Sequence, residues 1–124
     1  VFMVEDDQMI RELVVAKLTQ SGCIPFITED GSEAIKLAEH YQPDVIILDL
    51  MLPGMTGEEV LTTLKSREDL RQIPVVDFSN KSEDTDREKV MNLGADRYYV
   101  KAYTDLNELV ADLRALVGAR NAAA

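Results

Sequence analysis

The amino-acid sequence predicts an α/β domain in which a parallel sheet carries helices on both faces. Short apolar runs alternate with segments whose apolar residues recur every three or four positions, as in successive βα units. Two of the runs, residues 1–4 and 45–48, are apolar without interruption, which is typical of strands covered on both faces. With 124 residues, the chain is long enough for one hydrophobic core and too short for a second domain of ordinary size.

Five strands are predicted from these runs. The two uninterrupted runs are expected in the middle of the sheet. Residues 23–28 contain Pro25, which has no N–H for the hydrogen-bond ladder, so we expect this strand at an edge. Residues 75–79 and 98–100 supply the last two strands. Five βα units with the second strand at an edge predict a doubly wound, flavodoxin-like sheet of order 2-1-3-4-5 with five helices.

Helical periodicity and end signals support these helices. The first helix is marked by Ile10, Leu13, Val14 and Leu18, and the last by Leu106, Leu109, Val110, Leu113 and Val117. Asp30 and Glu33 predict a capping pair that opens the second helix, while Asp7 and Thr104 predict caps for the first and fifth. Left-handed helix ends are predicted at Gly22, Gly94 and Gly118.

Polar side chains follow the strands at their carboxyl ends. They are Glu5, Asp6 and Asp7 after the first strand, Asp49 after the third, Ser79 at the end of the fourth and Lys101 after the fifth. Adjacent first and third strands would bring three carboxylates together, and like charges at short range oppose ionisation. A hard divalent cation such as Mg²⁺ would offset that repulsion. Because Lys101 adds a compact positive charge and Ser79 a hydroxyl donor, the strand ends predict a phosphoryl-binding site.

Five stretches, spread through nearly the whole chain, carry a resemblance to a known family. They are Val4-Glu5-Asp6-Asp7, the nine residues from Asp49 to Gly57, Ile73-Pro74-Val75-Val76, Leu93-Gly94-Ala95-Asp96 and Val100-Lys101. Together and in this order they resemble the signature of the receiver domain of two-component response regulators. Any one stretch alone would be weak, whereas the joint match is highly specific.

The resemblance implies a phosphorelay signalling protein rather than an enzyme with an external substrate. Asp49 would be the phosphoacceptor, in a reaction that requires Mg²⁺. Asp6 would bind Mg²⁺ directly and Glu5 through water, with Asp49 and the Met51 carbonyl as further ligands. The domain's only reactions would be its own phosphorylation and dephosphorylation.

The resemblance also implies a switch. Ser79 would follow the phosphoryl group, with Lys101 as the charge partner of that group, and Tyr98 would turn inward when Ser79 moves. The surface formed by the fourth helix, fifth strand and fifth helix would then be read by a partner. Asn80 and Lys81 would tune the lifetime of the acyl phosphate.

Partners and location follow from the resemblance and the composition. The phosphodonor would be a histidine kinase or a histidine phosphotransfer protein, and the output an effector domain or a separate protein, with phosphorylation-dependent homodimerisation also open. A net charge of −10 disfavours direct nucleic-acid binding by this domain. Cys23 is the single cysteine and no apolar run has the length of a membrane span, so we expect a cytoplasmic protein without membrane contact. Residues 1–118 are expected to form the receiver domain, and 119–124 a tail of cloning origin.

Two other functions stay open at this point. A phosphatase of the haloacid-dehalogenase type also uses an aspartyl phosphate, but it carries a second acid two residues after the nucleophile, where this chain has Met51. A degenerate receiver that works only as an interaction module would lack the acceptor, the acid pair or the lysine. This chain has all of them.

Two positions depart from the family pattern. Asp77 lies inside the fourth predicted strand, where an apolar residue is usual, and a buried carboxylate is costly unless paired or neutralised. Ala102 replaces the proline that commonly forms a cis peptide bond with the preceding lysine. Since a cis bond costs roughly 2–3 kcal/mol more before a non-proline residue than before proline, we predict a trans bond between Lys101 and Ala102.

Overall fold

Strands and helices alternate along the chain in the computed structural model, which describes residues 1–52, 55–80 and 84–123. Within these residues the strands are β1 (Phe2–Val4), β2 (Phe26–Thr28), β3 (Ile46–Leu48), β4 (Val75–Ser79) and β5 (Arg97–Val100). The helices are α1 (Gln8–Gln20), α2 (Gly31–Tyr41), α3 (Gly57–Ser66), α4 (Asp84–Asn92) and α5 (Leu106–Ala123). A short 3-10 helix, Lys101–Tyr103, lies between β5 and α5. The predicted series of five βα units is confirmed.

The five strands form one parallel sheet in the order β2-β1-β3-β4-β5. This is the predicted doubly wound, flavodoxin-like order. Because the strands are parallel, their carboxyl ends meet at one edge of the sheet, where ligands of such folds bind. The register places Leu48 of β3 beside Asp77 of β4, and Asp77 beside Tyr98 of β5.

Hydrophobic cores cover both faces of the sheet. On one face, β1, β3 and β4 pack against α2, α3 and α4 through buried residues that include Phe2, Leu48, Val75, Ala34, Leu61 and Val90. On the other face, the strands pack against α1 and α5 through buried residues that include Met3, Ile47, Val76, Phe78, Leu18 and Leu109. Strand side chains alternate between faces, so Asp77 and Ser79 point to the same side as Val75.

The edge position of the second strand is confirmed, although the strand is shorter than predicted. It begins at Phe26 instead of Cys23. Pro25 cannot donate to the ladder, and Phe26, the first residue of β2, donates its N–H to the Val1 carbonyl at 3.0 Å.

The predicted ends of α1 and α4 are confirmed. The Asp7 carboxylate caps α1 by accepting a hydrogen bond from the Ile10 N–H at 3.2 Å. Gly22 and Gly94 follow these helices with φ angles of 82° and 111°, in the left-handed region that glycine adopts at little cost.

The capping pair predicted for α2 is half correct. Asp30 is the N-cap and accepts the Ser32 N–H at 2.8 Å. The Glu33 carboxylate does not accept the hydrogen bond from the Asp30 N–H that a capping box requires. That N–H donates to the Thr28 hydroxyl at 3.2 Å, and the same hydroxyl donates to the Glu33 carboxylate at 3.3 Å.

Both predictions for the ends of α5 are wrong. The Thr104 hydroxyl donates to the Val100 carbonyl at 2.7 Å and closes the 3-10 turn, so α5 begins only after Asp105. Gly118 lies within α5 rather than at a left-handed end, because the alanine-rich residues after it favour continued helix.

The division of the chain at residue 118 stays a prediction. Within the described part of the chain, no helix has the combination of length and apolar character needed to cross a membrane.

Candidate functional site

The acidic residues of the site are brought together by the pairing of β1 with β3. Glu5 and Asp6 directly follow β1, and Asp49 directly follows β3. The Asp49 N–H donates to the Val4 carbonyl at 3.0 Å, which continues the ladder to the strand ends. One carboxylate oxygen from each of Glu5, Asp6 and Asp49 lies within 4.8 Å of the others. The predicted convergence of these three residues at one end of the sheet is confirmed.

Lys101 enters the same cluster from the end of β5. Its ammonium donates to Glu5 Oε1 at 2.7 Å and to Asp49 Oδ2 at 3.1 Å. The side chains are 7%, 1% and 5% exposed for Lys101, Glu5 and Asp49, so these ion pairs form largely out of water. The Lys101 ammonium also lies 5.9 Å from the centre of the Phe78 ring, which forms part of its apolar surroundings. The prediction that Lys101 reaches Asp49 is confirmed, and its contact with Glu5 is an addition.

The electrostatics of the cluster reflect burial and crowding. Burial raises the pKa of the Glu5 carboxyl to about 7, against an opposing hydrogen bond from Lys101 and with a further upward contribution from the charge of Asp49. Burial alone would lower the pKa of Lys101, but the hydrogen bond to Glu5 and the charge of Asp49 raise it above its usual value. Lys101 therefore stays charged, while Glu5 can lose or keep its proton near neutral pH.

The donor set suits a hard divalent cation. Glu5 Oε1 accepts from both Lys101 and the Asp7 N–H, whereas Glu5 Oε2 is buried and has no hydrogen-bond partner among the described residues. A buried carboxylate oxygen without a partner is costly, and a cation or its bound water would satisfy it. Three carboxylates with Asp6 exposed to solvent give the oxygen ligands and the open side that Mg²⁺ and similar ions prefer.

Arg11 is a contributor that the sequence did not single out. Its guanidinium donates to the Glu5 and Asp6 carbonyls, each at 3.4 Å, and pairs with the Glu29 carboxylate. These contacts hold the loop that carries the acid pair. The position of Arg11, four residues after the Asp7 cap and on the first turn of α1, is the signal that could have indicated this role.

Gly57 is a second residue whose role emerges only from the structure. A Cβ at this position would lie 2.2 Å from the Asp49 carbonyl oxygen and 2.4 Å from the Leu50 Cα. The Gly57 N–H donates to the Leu50 carbonyl at 3.1 Å, so the start of α3 packs directly on the backbone that carries Asp49. Glycine is required here by close approach of the chain.

The predicted switch residues lie in neighbouring strands, with Ser79 at the end of β4 and Tyr98 as the second residue of β5. Ser79 is fully buried, and its hydroxyl donates to Oδ2 of Asp77 at 3.2 Å. Tyr98 is half-buried against the core of the α2–α4 face. Burial raises the pKa of Tyr98, the charge of Asp77 adds to this, and a hydrogen bond with Ser79 opposes it. Ser79 and Tyr98 are thus neighbours, and Ser79 is engaged with Asp77 rather than with the acidic cluster.

The remaining predicted positions are placed as follows. The Met51 N–H donates to Asp49 Oδ1 at 3.0 Å, which keeps the Met51 backbone beside the Asp49 carboxylate, while the Met51 side chain is exposed. Asn80 is exposed after β4, and Lys81 lies outside the described residues, as do Pro53 and Gly54 of the second signature stretch. The Lys101–Ala102 peptide bond is trans, as predicted.

Comparisons with known proteins agree with this architecture. The sequence model of the response regulator receiver domain family matches residues 1–114. The phosphate regulon transcriptional regulatory protein PhoB of Escherichia coli K12 is 38% identical over 117 residues, which cover 94% of this chain and 51% of PhoB. The chain thus spans about half the length of the curated relatives that it matches.

Solved structures of receiver domains superimpose closely on the chain. The BeF3-activated receiver domain of Klebsiella pneumoniae RstA has a TM-score of 0.87 with 28% identity, covering 94% of this chain and 96% of the other. The receiver domain of a sensor histidine kinase of Pseudomonas aeruginosa PAO1, which holds a magnesium ion in its active-site cleft, has a TM-score of 0.85 with 26% identity. These matches cover 94% of this chain and 95% of that domain. From its sheet order, its cluster of acids with a lysine and its match over residues 1–114, the chain belongs to the response regulator receiver domain family.

Proposed function

We propose that the chain is a phosphoacceptor receiver domain that takes a phosphoryl group on Asp49 from a histidine kinase or a histidine phosphotransfer protein. One observation carries the proposal: the Asp49 carboxylate lies between the Lys101 ammonium and the acid pair Glu5 and Asp6. A phosphoryl group on Asp49 would therefore meet a positive charge on one side and oxygen ligands for a cation on the other. Both would neutralise charge on its oxygens.

The transfer step would join this chain and a phosphodonor, with Mg²⁺ required. A carboxylate oxygen of Asp49 forms a bond to phosphorus as the bond from phosphorus to the donor breaks, and the donor keeps the electron pair of that bond. Hydrogen bonds from Lys101 and the Met51 N–H to the two oxygens of Asp49 fix the carboxylate for attack. Dephosphorylation consumes one water and returns inorganic phosphate with the free carboxylate.

The cation site follows from the same residues. We assign Glu5, Asp6, Asp49 and the Met51 carbonyl to hold Mg²⁺, with Glu5 acting through a bound water. The buried and unpartnered Glu5 Oε2 and the mutual proximity of the three carboxylates support this assignment. When bound, the cation supplies charge neutralisation for the carboxylates and for the phosphoryl oxygens. The magnesium ion in the cleft of the Pseudomonas aeruginosa receiver domain agrees with it.

The signal leaves the site through Ser79 and Tyr98. Ser79 ends β4, the strand next to β3, and Tyr98 lies in β5 beyond it, so their movement would alter the surface of α4, β5 and α5. An element of this kind must have two states, one of which binds the phosphoryl group better. The output is an effector domain or a separate protein, as the name of PhoB suggests for that protein, and homodimerisation on phosphorylation is a compatible route.

The composition limits the partners further. A net charge of −10 opposes direct contact of this domain with nucleic acid, so a transcriptional output would act through another domain. We place the protein in the cytoplasm, where histidine kinases present their phosphohistidine.

The two competing functions fit the site less well. A phosphatase of the haloacid-dehalogenase type needs a general acid two residues after the nucleophile, and Met51 at that position is an exposed thioether side chain. A degenerate receiver would lack part of the chemistry, whereas Glu5, Asp6, Asp49 and Lys101 all contribute to one cluster.

Phosphorylation with a small donor tests the proposal. The chain is incubated with acetyl phosphate and Mg²⁺, and the covalent phosphoryl group is followed by intact-protein mass spectrometry before and after hydroxylamine. One hydroxylamine-labile group that requires Mg²⁺ is expected, and Asp49→Asn should remove it. Asp7→Asn is the matched control, because Asp7 caps α1 beside the cluster and asparagine caps equally well. Persistent labelling of Asp49→Asn would refute Asp49 as the acceptor.

A further inference from the structure

Asp77 is a buried carboxylate to which the proposed phosphotransfer assigns no role. It lies in the middle of β4 and is 1% exposed. Its register partners are Leu48 on one side and Tyr98 on the other. Val75 and Leu48, which are buried beside it on this face of the sheet, are apolar. A carboxylate in such a position is costly, so it calls for a specific interaction that uses it.

The structure gives Asp77 a contact with the switch residue. The Ser79 hydroxyl donates to Asp77 Oδ2 at 3.2 Å, and the bond is buried. Residues two apart on a strand share a face, which is why the two side chains meet. A hydroxyl has a single hydrogen to donate. While the Ser79 hydrogen is given to Asp77, it cannot be given to an oxygen of a phosphoryl group on Asp49.

From this competition we propose that Asp77 is a positioning residue that holds the Ser79 hydroxyl in the unphosphorylated arrangement and must release it when Asp49 is phosphorylated. The inference rests on the proposed function, since it concerns the switch of the same site. Asp77 would then weaken the response of the domain to phosphorylation. A ligand shifts a two-state equilibrium only by the difference between its affinities for the two states. The bond between Ser79 and Asp77 stabilises the unphosphorylated state, so it opposes the shift that a phosphoryl group on Asp49 would cause.

The position of Tyr98 supports a coupled arrangement. Tyr98 pairs with Asp77 in the sheet register and shares a hydrogen bond with Ser79, so it adjoins both partners of the bond. Breaking the bond between Ser79 and Asp77 changes the surroundings of Tyr98 directly. Tyr98, which is predicted to transmit the signal, therefore lies next to the hydrogen bond between Ser79 and Asp77 that is predicted to oppose the switch.

Binding of beryllofluoride, a phosphoryl mimic, in the presence of Mg²⁺ tests the inference. The chain contains no tryptophan, so titration calorimetry is the suitable measurement. Asp77→Val removes the acceptor with a residue that suits a buried strand, and it should tighten beryllofluoride binding about tenfold, the size expected for a hydrogen bond to a charged group. Asp77→Asn keeps a neutral acceptor of the same shape and should give a smaller gain, roughly threefold.

The decisive comparison is made in the background of Ser79→Ala. Without the Ser79 hydroxyl, Asp77 has no hydrogen bond to compete with the phosphoryl mimic. The double variant Ser79→Ala with Asp77→Val should therefore bind beryllofluoride with an affinity within about twofold of the single Ser79→Ala variant. An equal gain in both backgrounds would mean that Asp77 acts through general packing or charge, and it would overturn the inference. Weaker binding by both Asp77→Val and Asp77→Asn would overturn it as well.

The same titrations separate this inference from the proposed function. If the unaltered chain binds no beryllofluoride with Mg²⁺, the proposed function fails, and the inference fails with it. If the unaltered chain binds beryllofluoride, and Asp77→Val raises the affinity equally with and without the Ser79 hydroxyl, only the inference fails. Thermal unfolding of each variant verifies folding, and Asp77→Asn supplies the answer if Asp77→Val does not fold.

Discussion

The ammonium of Lys101 lies 2.7 Å from Glu5 Oε1, although the two residues are 96 positions apart in the chain. The bond joins the ends of β1 and β5, which are separated in the sheet by β3 and β4. Lys101 therefore reaches across the ends of β4 and β3 to β1 and contacts Glu5 as well as Asp49. It offsets part of the negative charge of the cluster before any cation or phosphoryl group binds.

This relationship predicts opposite effects of two substitutions on stability. Lys101→Met removes the cation from a buried acidic cluster and should lower the free energy of unfolding by about 2 kcal/mol, a cost limited because Glu5 can keep its proton. Asp49→Asn relieves repulsion and should raise that free energy by about 1 kcal/mol. Urea unfolding at neutral pH with a chelator present measures both. Changes of the same sign would contradict the electrostatic account of the cluster.

Binding of Mg²⁺ should stabilise the fold, because the cation binds the assembled cluster and not the unfolded chain. At a Mg²⁺ concentration about 100 times the dissociation constant, the gain would be about 2.7 kcal/mol. Asp6→Asn should abolish most of the gain. Asp7→Asn, which alters the neighbouring residue and keeps a helix cap, should leave the gain intact. Thermal unfolding with and without Mg²⁺ gives the comparison, and equal gains in both variants would remove Asp6 from the cation site.

Much of the fold was predictable because its signals are local. Uninterrupted apolar runs indicated the central strands β1 and β3, and Pro25 indicated the edge position of β2. The acids at the strand ends then followed from topology, since parallel strands bring their carboxyl ends to one edge. Asp49 and Glu5 could be placed together without any knowledge of their contacts.

The wrong predictions concern groups whose partners are decided by tertiary contacts. Thr104 is a suitable helix cap by type, but its hydroxyl is taken by the Val100 carbonyl of the 3-10 turn. Glu33 could have completed a capping box, but Thr28 lies closer to the N–H that Glu33 would have used. The position of Arg11 on the first turn of α1 places it near the loop that carries the acid pair, but its contacts with two backbone carbonyls depend on the path of that loop.

The two glycines at opposite ends of the structure should respond oppositely to alanine. Gly57→Ala places a Cβ against the backbone of Asp49 and Leu50, where no flexible side chain can yield, and should cost about 3 kcal/mol or more. It should also slow phosphorylation, since the acceptor must move. Gly118→Ala meets nothing within 4 Å and lies inside α5, so it should add up to about 1 kcal/mol. Chemical unfolding and acetyl phosphate labelling test both; a harmless Gly57→Ala would contradict the close packing.

Tyr98 should affect signal transmission more than phosphorylation. Tyr98→Ala keeps the acceptor cluster, so labelling of Asp49 by acetyl phosphate should stay near that of the unaltered chain. In NMR spectra, the chemical-shift changes caused by beryllofluoride should extend into α4 and α5 in the unaltered chain and stay near the site in Tyr98→Ala. Tyr41→Ala, at the end of α2 where the ring packs against Phe26 of the edge strand β2, is the control. Undiminished changes in α4 and α5 of Tyr98→Ala would assign the switch elsewhere.

The most direct measurement is the chemical identity of the modified residue after phosphorylation. The chain is treated with acetyl phosphate and Mg²⁺, reduced with borohydride, digested and sequenced by mass spectrometry. Borohydride converts an aspartyl phosphate to homoserine, so the account predicts homoserine at position 49, and only when Mg²⁺ is present. Unmodified Asp49, with homoserine at Asp6 or any other position, would contradict it.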